Sequence, residues 1–221
     1  MRLPYLLVAA FTVGGLVQTA RGQAALLVLR SDLDCRLIID GKSKGVLKAG
    51  SELQVNLPPG EHQVEASALA GSVAWQTSVT LKTGTEVVSI PMGHAVAQAE
   101  ARRRGYWVDP ETHLMWPAAD NGLGVSWSQA AYHCRTLAIA RYRDWRLPTI
   151  DELQRLFGGP VNPAGHHVTG PIQLTGWQWS SSHGQEPGQQ WALDFGDGAR
   201  ASVVTGDSGL NRALCVRPED H

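Results

Sequence analysis

The sequence predicts an α+β protein: a small antiparallel β-sandwich, followed by a second domain with two helices and a mixed or antiparallel sheet. Three observations predict it. Between residues 25 and 92, turn signals recur about every 8–12 residues with no helical period between them. Two segments beyond residue 120 carry helix-start signals and apolar positions at helical spacing. The composition also changes along the chain, because seven of its 8 tryptophans lie after residue 104.

The first element is expected to be removed. Met1-Arg2 is followed by an uncharged run from Leu3 to Val17, then by small residues at Ala20 and Gly22. A basic start, an apolar run of about 15 residues and small residues at the −3 and −1 positions make a secretory signal peptide. It covers residues 1–22, with cleavage after Gly22 and Ala24 as the alternative. The run is short and broken by Gly14 and Gly15, so no stable membrane span is expected after cleavage. An uncleaved anchor is the competing reading. Loss of Arg2 and Arg21 leaves 17 basic and 20 acidic residues, a charge of −3. That balance offers no footprint for nucleic acid. Export implies an oxidising compartment, where the cysteines Cys35, Cys134 and Cys215 allow one disulfide and one unpaired thiol.

Residues 23–92 form the first domain. Ala25–Arg30 and Cys35–Ile39 read as apolar, β-branched strands, with a turn at Asp40-Gly41-Lys42. Glu52–Leu57 alternates, placing Leu53, Val55 and Leu57 on one face. Pro58-Pro59-Gly60 turns the chain into Glu61–Leu69, and Ser72–Leu81 and Glu86–Ile90 follow. The run Cys35-Arg36-Leu37-Ile38-Ile39-Asp40-Gly41-Lys42 with Gly45, then Leu57-Pro58-Pro59-Gly60-Glu61-His62-Gln63-Val64, resembles a PEGA-type module. The resemblance implies a spacer or binding unit of a bacterial envelope protein, without enzymatic activity. Residues 93–104, Ala-rich and ending in Arg102-Arg103-Arg104, read as a helical or extended linker.

Residues 105–221 form the second domain. Tyr106–Asp109 and His113–Trp116 read as a hairpin. Ser126 can cap a helix whose apolar positions are Trp127, Ala130, Ala131, Cys134, Leu137 and Ala138. Thr149-Ile150-Asp151-Glu152 is a capping box that opens a second helix. Gly158 to Pro171 reads as a loop, and strands are expected at Trp177–Ser181, Gln190–Phe195, Ala199–Val204 and Arg212–Arg217.

Five motifs in this half stand in an order that resembles the Lcl C-terminal domain family, a bacterial surface module related in fold to C-type lectins. They are Asp109–Trp116, Trp127–Cys134, Asp144-Trp145-Arg146-Leu147-Pro148-Thr149 with Glu152-Leu153, Trp179-Ser180-Ser181, and Cys215-Val216-Arg217. The family favours glycine where His113 stands, which implies a positive φ that histidine tolerates better than most residues. The resemblance implies a lectin-like fold and a Cys134–Cys215 disulfide from helix to final strand, leaving Cys35 unpaired. Closing that loop would stabilise the fold by on the order of 4 kcal/mol. Asp144, Trp145, Arg146 and Glu152 read as a fold signature: a buried ion pair with a cation–π contact that locks the helix start.

No enzymatic activity and no cofactor are expected. Formylglycine-generating enzymes of related fold need a redox-active cysteine pair, and Cys215 has only its expected structural partner. The iron-dependent sulfoxide synthases of the superfamily need a histidine set at helical spacing, which is missing. No G-x-S-x-G, H-E-x-x-H or P-loop pattern occurs. His166-His167 and His183 read as polar loop residues, so no metal is expected. Calcium-dependent sugar binding would need triplets that Glu186-Pro187-Gly188 and Leu193-Asp194-Phe195 do not supply.

What remains is a binding surface of aromatic and polar groups on the late strands and loops: Trp177, Trp179, Trp191, Asp194, Asp207 and Asn211. The expected partner is a glycan or protein of the cell envelope or extracellular space. The expected location is periplasmic, secreted or cell-surface. A periplasmic inhibitor or immunity protein that blocks a cell-wall-degrading effector is the alternative.

Overall fold

A computed structural model describes residues 24–220 except residue 163, so the expected signal peptide lies outside the described residues. The first seven strands are β1 (Ala25–Ser31), β2 (Cys35–Ile39), β3 (Lys42–Leu47), β4 (Glu52–Leu57), β5 (Gly60–Ala68), β6 (Ala74–Leu81) and β7 (Thr85–Ile90). They form two sheets, β4-β1-β7 and β3-β2-β5-β6. Leu27, Leu29, Leu37, Ile39, Val64, Leu81 and Ile90 are fully buried between them, and Leu53, Val55 and Leu57 pack on the same core from β4. One strand pair departs from the antiparallel expectation: β1 and β7 run parallel. The neighbours of β1 are not its neighbours in sequence, so hairpin logic does not set their direction.

The two turn motifs of this domain touch. Asp40 and Gly41 both have positive φ, 49° and 72°, and join Ile39 to Lys42 in a two-residue hairpin. Asp40 Oδ1 accepts from Gln63 N–H at 2.9 Å, and Oδ2 lies 2.7 Å from His62 Nδ1. His62 Nε2 sits 2.8 Å from the Pro58 carbonyl, so one buried imidazole ties the Asp-Gly turn to the Pro-Gly turn. Asp40, then the Pro58 carbonyl, raises the His62 pKa above its ordinary 6.5 despite burial, and His62 lowers that of Asp40.

Residues 92–104 take the helical form of the expected linker. Helix α1 (Met92–Arg104) is alanine-rich, half-buried along most of its length, and buries Met92 and Ala101. Asp32 Oδ1 caps its first turn by accepting from Gly93 N–H at 2.9 Å. Its three terminal arginines favour the negative end of the helix dipole. It packs against β5, β6 and the next strand, β8 (Tyr106–Val108).

Strand β8 pairs with β9 (Leu114–Pro117) as the expected hairpin, with Trp107 opposite Trp116. At its turn His113 has φ 55°, the left-handed conformation that a family glycine implies. Helix α2 (Trp127–Thr136) starts at a full capping box of Ser126 and Gln129, and helix α3 (Ile150–Leu156) at that of Thr149 and Glu152. The segment expected as a loop after α3 instead holds a short irregular pair, β10 (Phe157–Val161) and β11 (His167–Val168). Next come β12 (Trp177–His183), β13 (Gln189–Leu193), β14 (Arg200–Val204), β15 (Asn211–Arg212) and β16 (Arg217–Pro218). They give the sheets β14-β13-β12-β15 and β16-β9-β8. The single strand expected at Arg212–Arg217 is therefore two short ones. Between them Ala213 to Val216 are all buried without a continuous ladder.

Cys134 and Cys215 are disulfide-bonded with Cα atoms 5.4 Å apart, and Cys35 is a buried free thiol. The signature residues build a clasp around this bond. Arg146 and Val216 exchange backbone hydrogen bonds of 3.0 and 2.8 Å. Asp144 pairs with Arg217 at 2.7 and 3.1 Å. Arg217 is almost fully buried, also pairs with Asp220, and stacks 4.2 Å over the Tyr142 ring. This corrects the expected pairing in two respects. The cation–π contact belongs to Arg217 and Tyr142, and Trp145 is a core residue whose indole N–H donates to the Tyr142 carbonyl. Arg146 does grip Glu152 in a bidentate pair at 2.8 and 2.7 Å, but its side chain is 46% exposed. Burial raises the Glu152 pKa, yet the bonds from Arg146 and Thr149 outweigh it and hold the carboxyl below its usual range.

Candidate functional site

The six aromatic and polar residues expected to form one binding surface do not come together. Strand side chains alternate between faces, and the register of β12 on β13 sets Trp179 opposite Ala192. Trp177 and Trp179 thus share one face of the sheet, while Trp191 projects from the other. Trp179 is fully buried in the cluster that contains the disulfide, and its indole N–H donates to the Val125 carbonyl at 2.7 Å. Trp191 packs on the separate cluster around Leu153, Leu193 and Phe195. A continuous stacking platform for a sugar ring is therefore not formed.

The polar members hold turns. Asp194 Oδ1 accepts from Gly196 N–H at 2.8 Å, and Asp207 Oδ1 from Gly209 N–H at 2.9 Å. Asn211 is buried, and its carbonyl accepts from Val125 N–H at 3.0 Å. His166 and His183 are half-buried and exposed, and His167 Nδ1 lies 3.3 Å from the Gly159 carbonyl. Among the described residues no three metal-ligating side chains gather.

Of the six, Trp177 (half-buried) and the buried Asn211 pair in the β12–β15 ladder, and Asp207 lies on the loop just before Asn211, where two loops meet as a rim at the start of α2. Residues 118–126 and 205–211 run backbone to backbone. Trp127 N–H donates to the Thr205 carbonyl at 2.9 Å and Val125 N–H to that of Asn211 at 3.0 Å, and the Asn121 side-chain Oδ1 accepts from Ala213 N–H at 2.8 Å. Gly124 is required by this approach, because a β-carbon there would collide with the Ser208 carbonyl oxygen and sit 2.7 Å from that of Gly209. Asp120 braces the first loop from inside. Its carboxylate accepts from Gly122 N–H, Thr175 N–H, the Thr175 hydroxyl and the Gln178 amide at 2.7–2.9 Å. Arg212 ties the second loop by donating to the Gly209 carbonyl at 3.2 Å and to the Thr175 hydroxyl at 3.3 Å.

These rigid loops hold two large apolar side chains in water. Leu123 is 71% exposed and Leu210 69% exposed, each on a loop whose neighbours are glycines and polar residues. Sequence reasoning missed both. The available signal was a lone leucine inside Asn121-Gly122-Leu123-Gly124 and again inside Gly209-Leu210-Asn211, where no helical or strand period gives it a core to enter. A pair of apolar knobs on a braced polar base can insert into a partner's surface at little conformational cost.

Comparison with known proteins supports the C-terminal assignment. A family model described as the Lcl C-terminal domain matches residues 105–217, just over half of the chain. No curated protein matches the chain.

Proposed function

The chain belongs to the Lcl C-terminal domain family, and from that premise we propose an exported, non-enzymatic recognition protein whose C-terminal domain binds an envelope or extracellular protein or glycan. The family and the disulfide suit a secreted or surface protein. Among the described residues no helix is long and apolar enough to cross a membrane. In this reading the leader-like residues 1–22 direct export, and the N-terminal sandwich is a PEGA-type spacer or binding unit that precedes the second domain.

The observation that carries the proposal is the braced rim bearing Leu123 and Leu210. Isolated exposed apolar residues are common on any surface and need no function. Two leucines on adjoining loops, held there by the half-buried Asp120 carboxylate and a glycine contact, cost solvation without stabilising the fold. Leucine side chains suit a protein partner better than a polyhydroxylated sugar. The inhibitor reading, in which the domain blocks a cell-wall-degrading effector, is one form of this and predicts a single stoichiometric complex. The test is affinity capture from envelope extract and a glycan array, with the wild-type chain beside a Leu123→Asp/Leu210→Asp variant. Capture lost in the variant supports the rim. Equal capture by both, or turnover of any substrate by the pure protein, argues against it.

A further inference from the structure

We propose that the junction between the two domains is a binding site for a small uncharged amphiphile, separate from the loop rim. The cavity there measures about 550 Å³, within the range that holds drug-sized ligands. Its walls come from three stretches far apart in sequence: the start of β6, one face of α1, and the β10–β11 segment with the residues just after it. It exists only because the N-terminal sandwich, the connecting helix and the C-terminal domain pack together.

The lining states the ligand's chemistry. Trp75, Val168 and Ile172 give a flat and branched apolar floor, and Val161 at the wall is 57% exposed although it is aliphatic. Among the described residues no Asp, Glu, Lys or Arg lines the cavity. An ionised ligand would leave water without a counter-charge, which is costly, so the occupant is uncharged. His94 and Gln98 stand one turn apart on α1, and both line the same wall. Neither side chain makes a hydrogen bond with any described residue. They offer a polar end for a head group, while the Trp75 ring offers a face for a flat or aliphatic body.

The probe is N-phenyl-1-naphthylamine, a neutral aromatic dye that brightens in apolar surroundings, titrated onto the full chain. The expected result is saturable brightening with one site per chain. Ala95→Trp, which places an indole in the cavity from α1, should weaken binding by about tenfold or more. Gln98→Trp plugs the same space from the next turn and serves if the first variant does not fold. Leu123→Asp/Leu210→Asp should bind the dye as the wild type does, which keeps the cavity distinct from the rim. Absence of saturable binding by the wild type, unchanged affinity in the folded plugged variant, or loss of dye binding in the rim variant would each overturn the proposal.

Discussion

Removing the Cys134–Cys215 bond should cost the C-terminal domain a large share of its stability, and the size of the loss can be worked out beforehand. The bond closes a loop of 81 residues. In the chain-entropy model that cross-link contributes about 4.5 kcal/mol at room temperature. Both sulfur atoms are fully buried, so replacing each by alanine adds roughly 1 kcal/mol for lost packing. A domain of this size is stable by about 5–15 kcal/mol, so the double variant approaches the folding threshold. The assay is urea unfolding followed by tryptophan fluorescence. This signal is nearly selective, because only Trp75 of the 8 tryptophans lies outside the C-terminal domain. With a urea slope of about 2 kcal/mol/M, reductant should lower the wild-type midpoint by roughly 2 M and Cys134→Ala/Cys215→Ala by roughly 3 M. The variant should no longer respond to reductant. A midpoint shift under about 0.5 M in both experiments would refute the reasoning, since it would mean that the unfolded chain gains little freedom when the link is cut.

Two further changes test the contacts that lace each domain. Arg217→Lys should lower the melting temperature nearly as far as Arg217→Met, because one ammonium cannot reproduce the two-pronged grip on Asp144, the bond to Asp220 and the stack on Tyr142; full rescue by lysine would contradict that account. In the N-terminal sandwich the His62 pKa is raised above 6.5, so its contribution is complete below about that pH and is lost as pH rises through the folded-state value. The lowered pKa of Asp40 acts in the opposite sense, being complete above 3.8 and lost on further acidification. Circular-dichroism melts should therefore show the sandwich losing stability as pH rises above about 6.5, and His62→Gln should flatten that slope. A slope unchanged by the substitution would place its origin elsewhere.

Elements with a local cause were legible in the sequence. The Thr149–Glu152 capping box, the alternation of Leu53, Val55 and Leu57, and the hairpin around His113 all arise within a few residues, and all stand in the structure as read. The features that were misread depend on something the local pattern does not contain. Gly158, Gly159 and Pro160 disguise β10 as a loop, and only its pairing across a register shift with β11 makes it a strand. Ala213 to Val216 form an apolar run that looks like a strand, although burial comes from packing on all sides and not from a ladder. Asp144 reads by nearness in sequence as part of one signature with Arg146 and Glu152, whereas its partner Arg217 is 73 residues away. The tryptophans were grouped because each sits on a late strand. Their division between two faces follows from the register of β12 on β13, which no single strand encodes.

The position of the clasp relative to the rim makes stability and recognition separable. Ser126, at the N-cap of α2, lies where the two loops meet, and Cys134 lies eight residues further along the same helix. At 1.5 Å per residue that distance is about 12 Å. The disulfide therefore fixes one end of α2 to the closing segment, and the opposite end carries the loops with Leu123 and Leu210. Neither leucine is buried or bonded through its side chain to the core, so charging them should leave the urea midpoint within about 0.5 M of wild type while removing capture. Cutting the disulfide should do the reverse at low urea: the domain loses stability, but the fraction that remains folded still presents the rim. If both kinds of change moved stability and capture together, the leucines would belong to the fold and the rim would not be the recognition surface.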